Sequence, residues 1–167
     1  IDEFASGLPV STHVAETIEE VQCTTDGCGP LVDFTTSIGA WDATAKPWYS
    51  HPVDAMIDVA GTSPLLAAHL NYIEDHHLSR LASSNITVAF CPRASTYFGH
   101  EGHRWKDMIA AGVAVALGTD SLLCLDTPDR ITVLDDMRLL YKRDQCDPKM
   151  LFAMATIHGA VGLGLSP

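Results

Sequence analysis

The sequence predicts an α/β fold of the parallel (β/α)8 TIM-barrel type, of which this chain supplies about four βα units. Three observations carry the prediction. Short apolar runs almost free of charge recur along the chain, helical patterns separate them, and several runs finish on a residue able to ligate a metal or carry a proton. Short uncharged runs bounded by turn residues are what strands covered on both faces look like, and their alternation with helices implies a parallel sheet.

The clearest strand candidates are residues 64–70, 86–91 and 113–118, with a weaker one at 8–14. Between them, residues 74–83 place Leu78, Leu81 and Ala82 on one helical face, and residues 104–111 do the same with Trp105, Met108 and Ile109. Thr127 followed by Pro128 reads as an N-cap with proline at the first helical position. The stripe Ile131, Leu134, Met137, Leu140 and Tyr141 then carries that helix to about Lys142. Asp147-Pro148 repeats the start signal. The stretch 26–60 is rich in Gly and Pro and reads as a short helix near 31–38 followed by irregular connection. A closed (β/α)8 barrel needs about 250 residues, so the 167 present suit half of one.

Composition narrows the function. Hydrophobic residues are 47% and charged residues 19%, a globular balance. The net charge of −11, from 21 acids and 10 bases, would repel a polyanion, so no nucleic-acid partner is expected. A small neutral or cationic substrate is compatible with it. No apolar run reaches the roughly 18 to 20 residues of a membrane span, and the first residues lack the pattern of a signal peptide. The five cysteines are odd in number and form no C-x-x-C, which argues against a disulfide framework or a thiolate metal site. Cys91 ends an apolar run and reads as a buried thiol. A reduced, cytoplasmic setting is the expectation.

In a βα barrel the catalytic groups sit at the C-terminal ends of strands. Three candidate strands end on His13, His69 and Asp120, all residue types that ligate zinc. Alternation would turn Ala114, Ala116, Gly118 and Asp120 inward, with Val115 and Leu117 toward the helices. The same rule would turn Leu65, Ala67 and His69 inward. Glu16 reaches the site of His13 only if the chain turns near Val14, and residues 15–21 do resemble a helix start. Glu16 would then overhang the barrel mouth as a proton carrier. Each residue alone has a structural reading: a hydrogen-bonded histidine, or an aspartate capping a turn. Matching positions on three strands favour function.

The remaining histidines are more ambiguous. His100 and His103 follow the strand candidate at 86–91 in a loop that would border the barrel mouth, where substrate contact competes with helix N-terminal structure. His76 and His77 lie in a polar helix start and are expected to be solvated. His158 suits a charge or capping role near a helix end, and His51 has no motif around it.

The set His13-Val-Ala-Glu16, Ala68-His69, Cys91-Pro92-x-x-Ser95 and Leu117-Gly-Thr-Asp-Ser121 resembles the amidohydrolase superfamily, in its chlorohydrolase, guanine deaminase and S-adenosylhomocysteine deaminase-like branch. The segment from Met154 to Leu165 is similar too. The resemblance implies that the four units are the last four of the barrel. It implies one divalent metal, zinc with iron as the alternative, ligated by His13 and Asp120. Glu16 would shuttle a proton, His69 would polarise, and Asp120 would also help deprotonate the attacking water. The reaction implied is hydrolysis of a C–N or C–Cl bond on a small heterocyclic substrate, with Arg93, Ser95, His100 and His103 as candidate substrate contacts.

The sequence departs from that pattern in lacking a His-x-His, the first four strands and the flanking small β domain. Residues 1–167 therefore read as the C-terminal half of a metal-dependent hydrolase barrel. The missing half would come from further sequence, another chain or a homo-oligomer. A catalytically incompetent half-barrel serving folding or assembly is the alternative, and a barrel enzyme without metal is a third.

Overall fold

A computed structural model describes residues 10–44, 47–127 and 129–165. Its four strands, β1 (Val10–Val14), β2 (Leu65–His69), β3 (Ile86–Phe90) and β4 (Ala114–Leu117), form one parallel sheet in the order β1-β2-β3-β4. All four expected strands are present; Leu8 and Pro9 of the first lie outside the described residues. Sequential strands are neighbours because each crossover carries a helix back to the next edge position.

The helices are α1 (Ile18–Asp26), α2 (Pro30–Ser37), α3 (Pro52–Ala60), α4 (Asp75–Ala82), α5 (Pro92–Tyr97), α6 (Trp105–Ala110), α7 (Val133–Asp144), α8 (Pro148–Ala155) and α9 (Ile157–Gly162). One face of the sheet is closed by helices. Leu65, Ala67, Val88, Phe90 and Val115 bury against Val53, Met56, Leu81, Met108, Leu140, Leu151 and Met154. Each fully buried aliphatic or aromatic side chain of this kind contributes about 1.5–3 kcal/mol.

The inward set expected for β2 is therefore reversed. Leu65 and Ala67 face the helices, while Leu66 and Ala68 share the other face with Thr87 and Ala89. The run is apolar at every position, so period 2 gave no contrast from which to assign faces. For β4 the expectation holds, with Val115 in the helix-side core and Ala114 and Ala116 in register with Thr87 and Ala89. Gly162 of α9 lies on the second face: a Cβ there would sit 2.8 Å from Leu66 Cδ1 and 3.0 Å from Thr87 Cγ2. His158, in the same helix, pairs its Nδ1 with the Val115 carbonyl at 2.8 Å. It braces the sheet rather than capping a helix end.

The helix expected at 31–38 is α2, but the irregular connection after it contains α3. His51 caps α3 by accepting from the Val53 N–H at 3.2 Å, and Pro52 occupies the first helical position. The helix expected to begin at Thr127 begins instead at the N-cap Thr132; Pro128 is outside the described residues. The reason is a buried charge. Arg93 of α5 donates to the Asp136 carboxylate, to Thr127 Oγ1 and to the Thr132 carbonyl. Those bonds hold 127–132 as a loop around the guanidinium. They also turn Asp136 inward, leaving Leu134 and Tyr141 of the expected apolar stripe exposed. No helix among the described residues is long and apolar enough to cross a membrane.

Removing one partner of a buried, hydrogen-bonded ion pair costs about 3–5 kcal/mol. Arg93→Ala is expected to lower the unfolding free energy by about that amount in urea titration, and an unchanged midpoint would contradict the strut assigned to Arg93.

Candidate active site

The candidate residues stand where strands end and the backbone leaves ordinary β geometry. Ala15 follows β1 with φ 49°, His69 and Leu70 close β2 with φ 73° and 52°, and Asp120 follows β4 with φ 57°. Non-glycine residues at positive φ cost on the order of 1–3 kcal/mol each and persist only where their surroundings over-determine them. Here the surroundings do so. The Leu70 N–H donates to the Val14 carbonyl at 3.0 Å and the Tyr72 N–H to the Ala15 carbonyl at 3.3 Å. The sheet pairing thus continues past both strand ends while the side chains swing out of alternation.

That swing brings His13, Glu16 and His69 together. His13 Nδ1 and His69 Nε2 are within hydrogen-bond distance at 3.1 Å, with their rings edge to face. Glu16 Oε2 lies 3.5 Å from the first nitrogen and 3.6 Å from the second. The turn expected after Val14 is what lets Glu16 reach His13: Thr17 caps α1, accepting from the Glu20 N–H at 3.1 Å. The side chain of His69 is 2% exposed, that of Glu16 29% and that of His13 66%. Burial pushes the His69 imidazole below its ordinary value against the opposing charge of Glu16, so the ring is held neutral, the form that ligates metals.

Asp120 stands apart from this tight group. It acts on His69 through its charge, and the metal-competent atoms within 4.8 Å of one another belong to His13, Glu16 and His69. Imidazole and carboxylate groups gathered at these strand ends are the donor types that a divalent ion of the zinc type takes.

Behind His69 stands His103. Its Nε2 donates to the His69 carbonyl at 2.7 Å and its ring stacks on Phe90 at 3.9 Å between centroids. Burial lowers its pKa to about 4. His100 Nδ1 meets the Tyr72 hydroxyl at 3.0 Å. Ser95 is buried and donates to Asn71 Oδ1 at 3.1 Å. Arg93 is committed to the loop before α7, where each guanidinium nitrogen bonds a protein group. Cys91 is buried, its thiol pushed up to about 12 chiefly by desolvation.

Two participants were missed in the sequence, Glu20 and Asn71. Both Glu20 oxygens accept backbone N–H groups at 2.8 Å, from Ala15 and Glu16, and Asn71 Nδ2 donates to the Glu16 carbonyl at 3.0 Å. Thr17-x-x-Glu20 has the spacing of a capping box, a signal for Glu20. Asn71 carries none.

A second group, Asp54, His76 and His77, also has metal-competent spacing. His77 is fully buried rather than solvated. Its Nδ1 accepts from the Glu74 N–H at 2.8 Å, so the ring proton of the neutral form stays on Nε2, the atom facing Asp54 at 3.3 Å. Asp54 is further occupied by His76 and Arg80, and Arg80 also pairs with Asp58. An ion would have to displace that proton beside a guanidinium. The group is a strut between α3 and α4.

The amidohydrolase family profile matches residues 2–167. A curated relative, 5-methylthioadenosine/S-adenosylhomocysteine deaminase of Moorella thermoacetica, is 32% identical over 174 residues, covering 99% of this chain and 36% of the relative. Its counterpart from Pyrococcus abyssi is 29% identical over 162 residues, covering 93% of this chain and 33% of the relative. The chain thus spans about a third of the length of these relatives. Among solved structures, Helicobacter pylori aminofutalosine deaminase in complex with methylthio-coformycin superposes with a TM-score of 0.78 at 21% identity, over 98% of this chain and 40% of that one.

The strut yields a pH signature. Despite desolvation, which raises it, the His76 and Arg80 partners bring Asp54 from 3.8 down to about 2. A carboxylate whose folded pKa is depressed stabilises the fold above its unfolded value and loses that contribution as pH falls through the folded value. Asp54→Asn is expected to cost about 1–2 kcal/mol at neutral pH, with the deficit vanishing between about pH 4 and pH 2. Paired thermal melts across that range check it; a deficit independent of pH would contradict it.

Proposed function

Because this chain belongs to the amidohydrolase family, we propose that it forms the last four βα units of a metal-dependent aminohydrolase acting on a heterocyclic amine. The observation that supports this most is the convergence of His13, Glu16 and His69 from the ends of two adjacent strands. Relatives named as deaminases of 5-methylthioadenosine and S-adenosylhomocysteine favour an amino-substituted purine nucleoside as substrate. The net reaction replaces a ring-carbon amino group by oxygen from water and releases ammonia.

His13 and Asp120 are the proposed protein ligands of a divalent ion, zinc before iron, with His69 beside it. Such an ion supplies acidified water and a polarised bond under attack. Glu16 carries the proton: its Oε2, within 3.6 Å of both imidazole nitrogens, takes one from the attacking water and returns it to the departing nitrogen. Positioned proton transfer of this kind contributes about 10²–10⁴ in rate. His69, kept neutral by burial, polarises the attacked centre without adding charge. His100, after β3 and beside the Tyr72 hydroxyl, is the proposed contact for a polar substrate group, while His103, engaged by the His69 carbonyl and the Phe90 ring, supports the end of β2 instead.

Among the described residues the outer edges of β1 and β4 carry no further strand, which favours a second reading for the chain taken by itself. Open strand edges seek partners, so it would be an assembly unit that completes its barrel with another half or a second copy, and would hold zinc below one equivalent.

The reading is tested in the full-length protein with 5-methylthioadenosine, following ammonia release. Glu16→Gln is expected to lower kcat by about 10²–10⁴ with metal content unchanged; retained turnover would remove Glu16 from the mechanism. Metal analysis of the 167-residue chain alone checks the second reading, and full zinc occupancy would contradict it.

A further inference from the structure

We infer that Glu20 and Asn71 are positioning residues that lock the Glu16 backbone, and through it the Glu16 carboxylate, against His13 and His69. The inference rests on the reading of Glu16 as proton carrier.

A capping-box glutamate ordinarily reaches back to the N–H of the N-cap residue, here Thr17. Glu20 reaches past it. Its Oε1 accepts from Ala15 and its Oε2 from Glu16, each at 2.8 Å. This is a bidentate, charge-assisted grip on two successive peptide groups. It falls on the turn where Ala15 is forced to positive φ. From the other side, Asn71 Nδ2 holds the Glu16 carbonyl at 3.0 Å, while the Tyr72 N–H takes the Ala15 carbonyl. All four backbone polar groups of Ala15 and Glu16 are thereby tied down, three of them by the side chains of Glu20 and Asn71.

Asn71 is itself anchored. It is buried, and its Oδ1 accepts from the equally buried Ser95 hydroxyl. Ser95 is set in α5 by its N–H bond to the Cys91 carbonyl at 2.9 Å. The chain Ser95–Asn71–Glu16 therefore links the ends of β3, β2 and β1. Asn71 fixes the carbonyl as a neutral amide, adding no charge beside the proton carrier. A cap serving only α1 would need one acceptor on Thr17; two oxygens on Ala15 and Glu16 instead direct the grip at the residue placed between the imidazoles.

Two measurements test this. In amide hydrogen exchange on the chain, Glu20→Ala is expected to accelerate Ala15 and Glu16 by about tenfold or more, the loss that goes with a hydrogen bond to a charged group. Glu20→Gln, which keeps one acceptor oxygen, should release only one of the two. In the full-length protein with 5-methylthioadenosine, Glu20→Ala and Asn71→Ala are expected to lower kcat by about 10- to 100-fold, because a misplacement of about 1 Å at a reacting group costs about that much. KM should stay within about threefold and metal content unchanged, since interactions made only in the transition state lower kcat alone. In a Glu16→Gln background, Glu20→Ala should cost little more, because the two act through one group.

Unchanged exchange at both amides, wild-type kcat in both alanine variants, or a kcat loss matched by loss of metal or a comparable rise in KM would each overturn the inference. Turnover retained by Glu16→Gln would instead overturn the reading of Glu16. Should the wild type leave 5-methylthioadenosine untouched, the substrate reading fails and the exchange measurement alone decides the clamp.

Discussion

The pairing of Val14 with His69 across β1 and β2 is the constraint on which the site depends. Both residues end their strands, and the ladder runs on through the Leu70 and Tyr72 amides after the side chains have left it. A slip of one residue in this register would exchange the faces of the strand. It would carry His13 away from His69 and seat a polar ring in the helix-side core. Register here is held by Leu65 and Ala67, which must stay under α3 and α4. The packing of the buried face thus aligns the chemistry at the strand ends.

Around that alignment, polar groups are satisfied where the backbone is strained. Ala15 and His69 occupy costly conformations; the Ala15 N–H donates to Glu20, the His69 carbonyl accepts from His103, and the carbonyl of the adjacent Glu16 accepts from Asn71. The same residue types appear between α3 and α4 with a different outcome. There the His77 tautomer is set by the Glu74 amide and Asp54 is shared with Arg80. In the candidate site a neutral buried imidazole, a partly exposed carboxylate and an accessible second imidazole face one another, and among the described residues no arginine or lysine pairs with Glu16. What separates a strut from a site is which lone pairs remain free, more than the residues themselves.

Much of the fold was legible from the residues. The charge-free runs are strands, and the proline-led segment at Pro148 is a helix, because both rest on local chemistry that survives any tertiary context. His13, Glu16 and His69 were also legible, since a barrel places strand ends together and the turn at Thr17 has a local signature. The missed features share one cause, namely groups distant in sequence acting on each other. Arg93 displaces the start of α7 by claiming Thr127 and Asp136, and His51 starts α3 where composition suggested only connection.

The sequence by itself determined the parallel βα order and the residue types delivered to each strand end, because periodicity, turn residues and caps are encoded within a few positions. Only the tertiary structure decided which face of β2 meets the helices, for an all-apolar run has no polar side to mark. It also decided that Glu16 is gripped from Glu20 on one side and Asn71 on the other. The residues holding Glu16 lie up to 55 positions away, and a hydrogen bond across that distance exists only once the sheet has set two strand ends side by side.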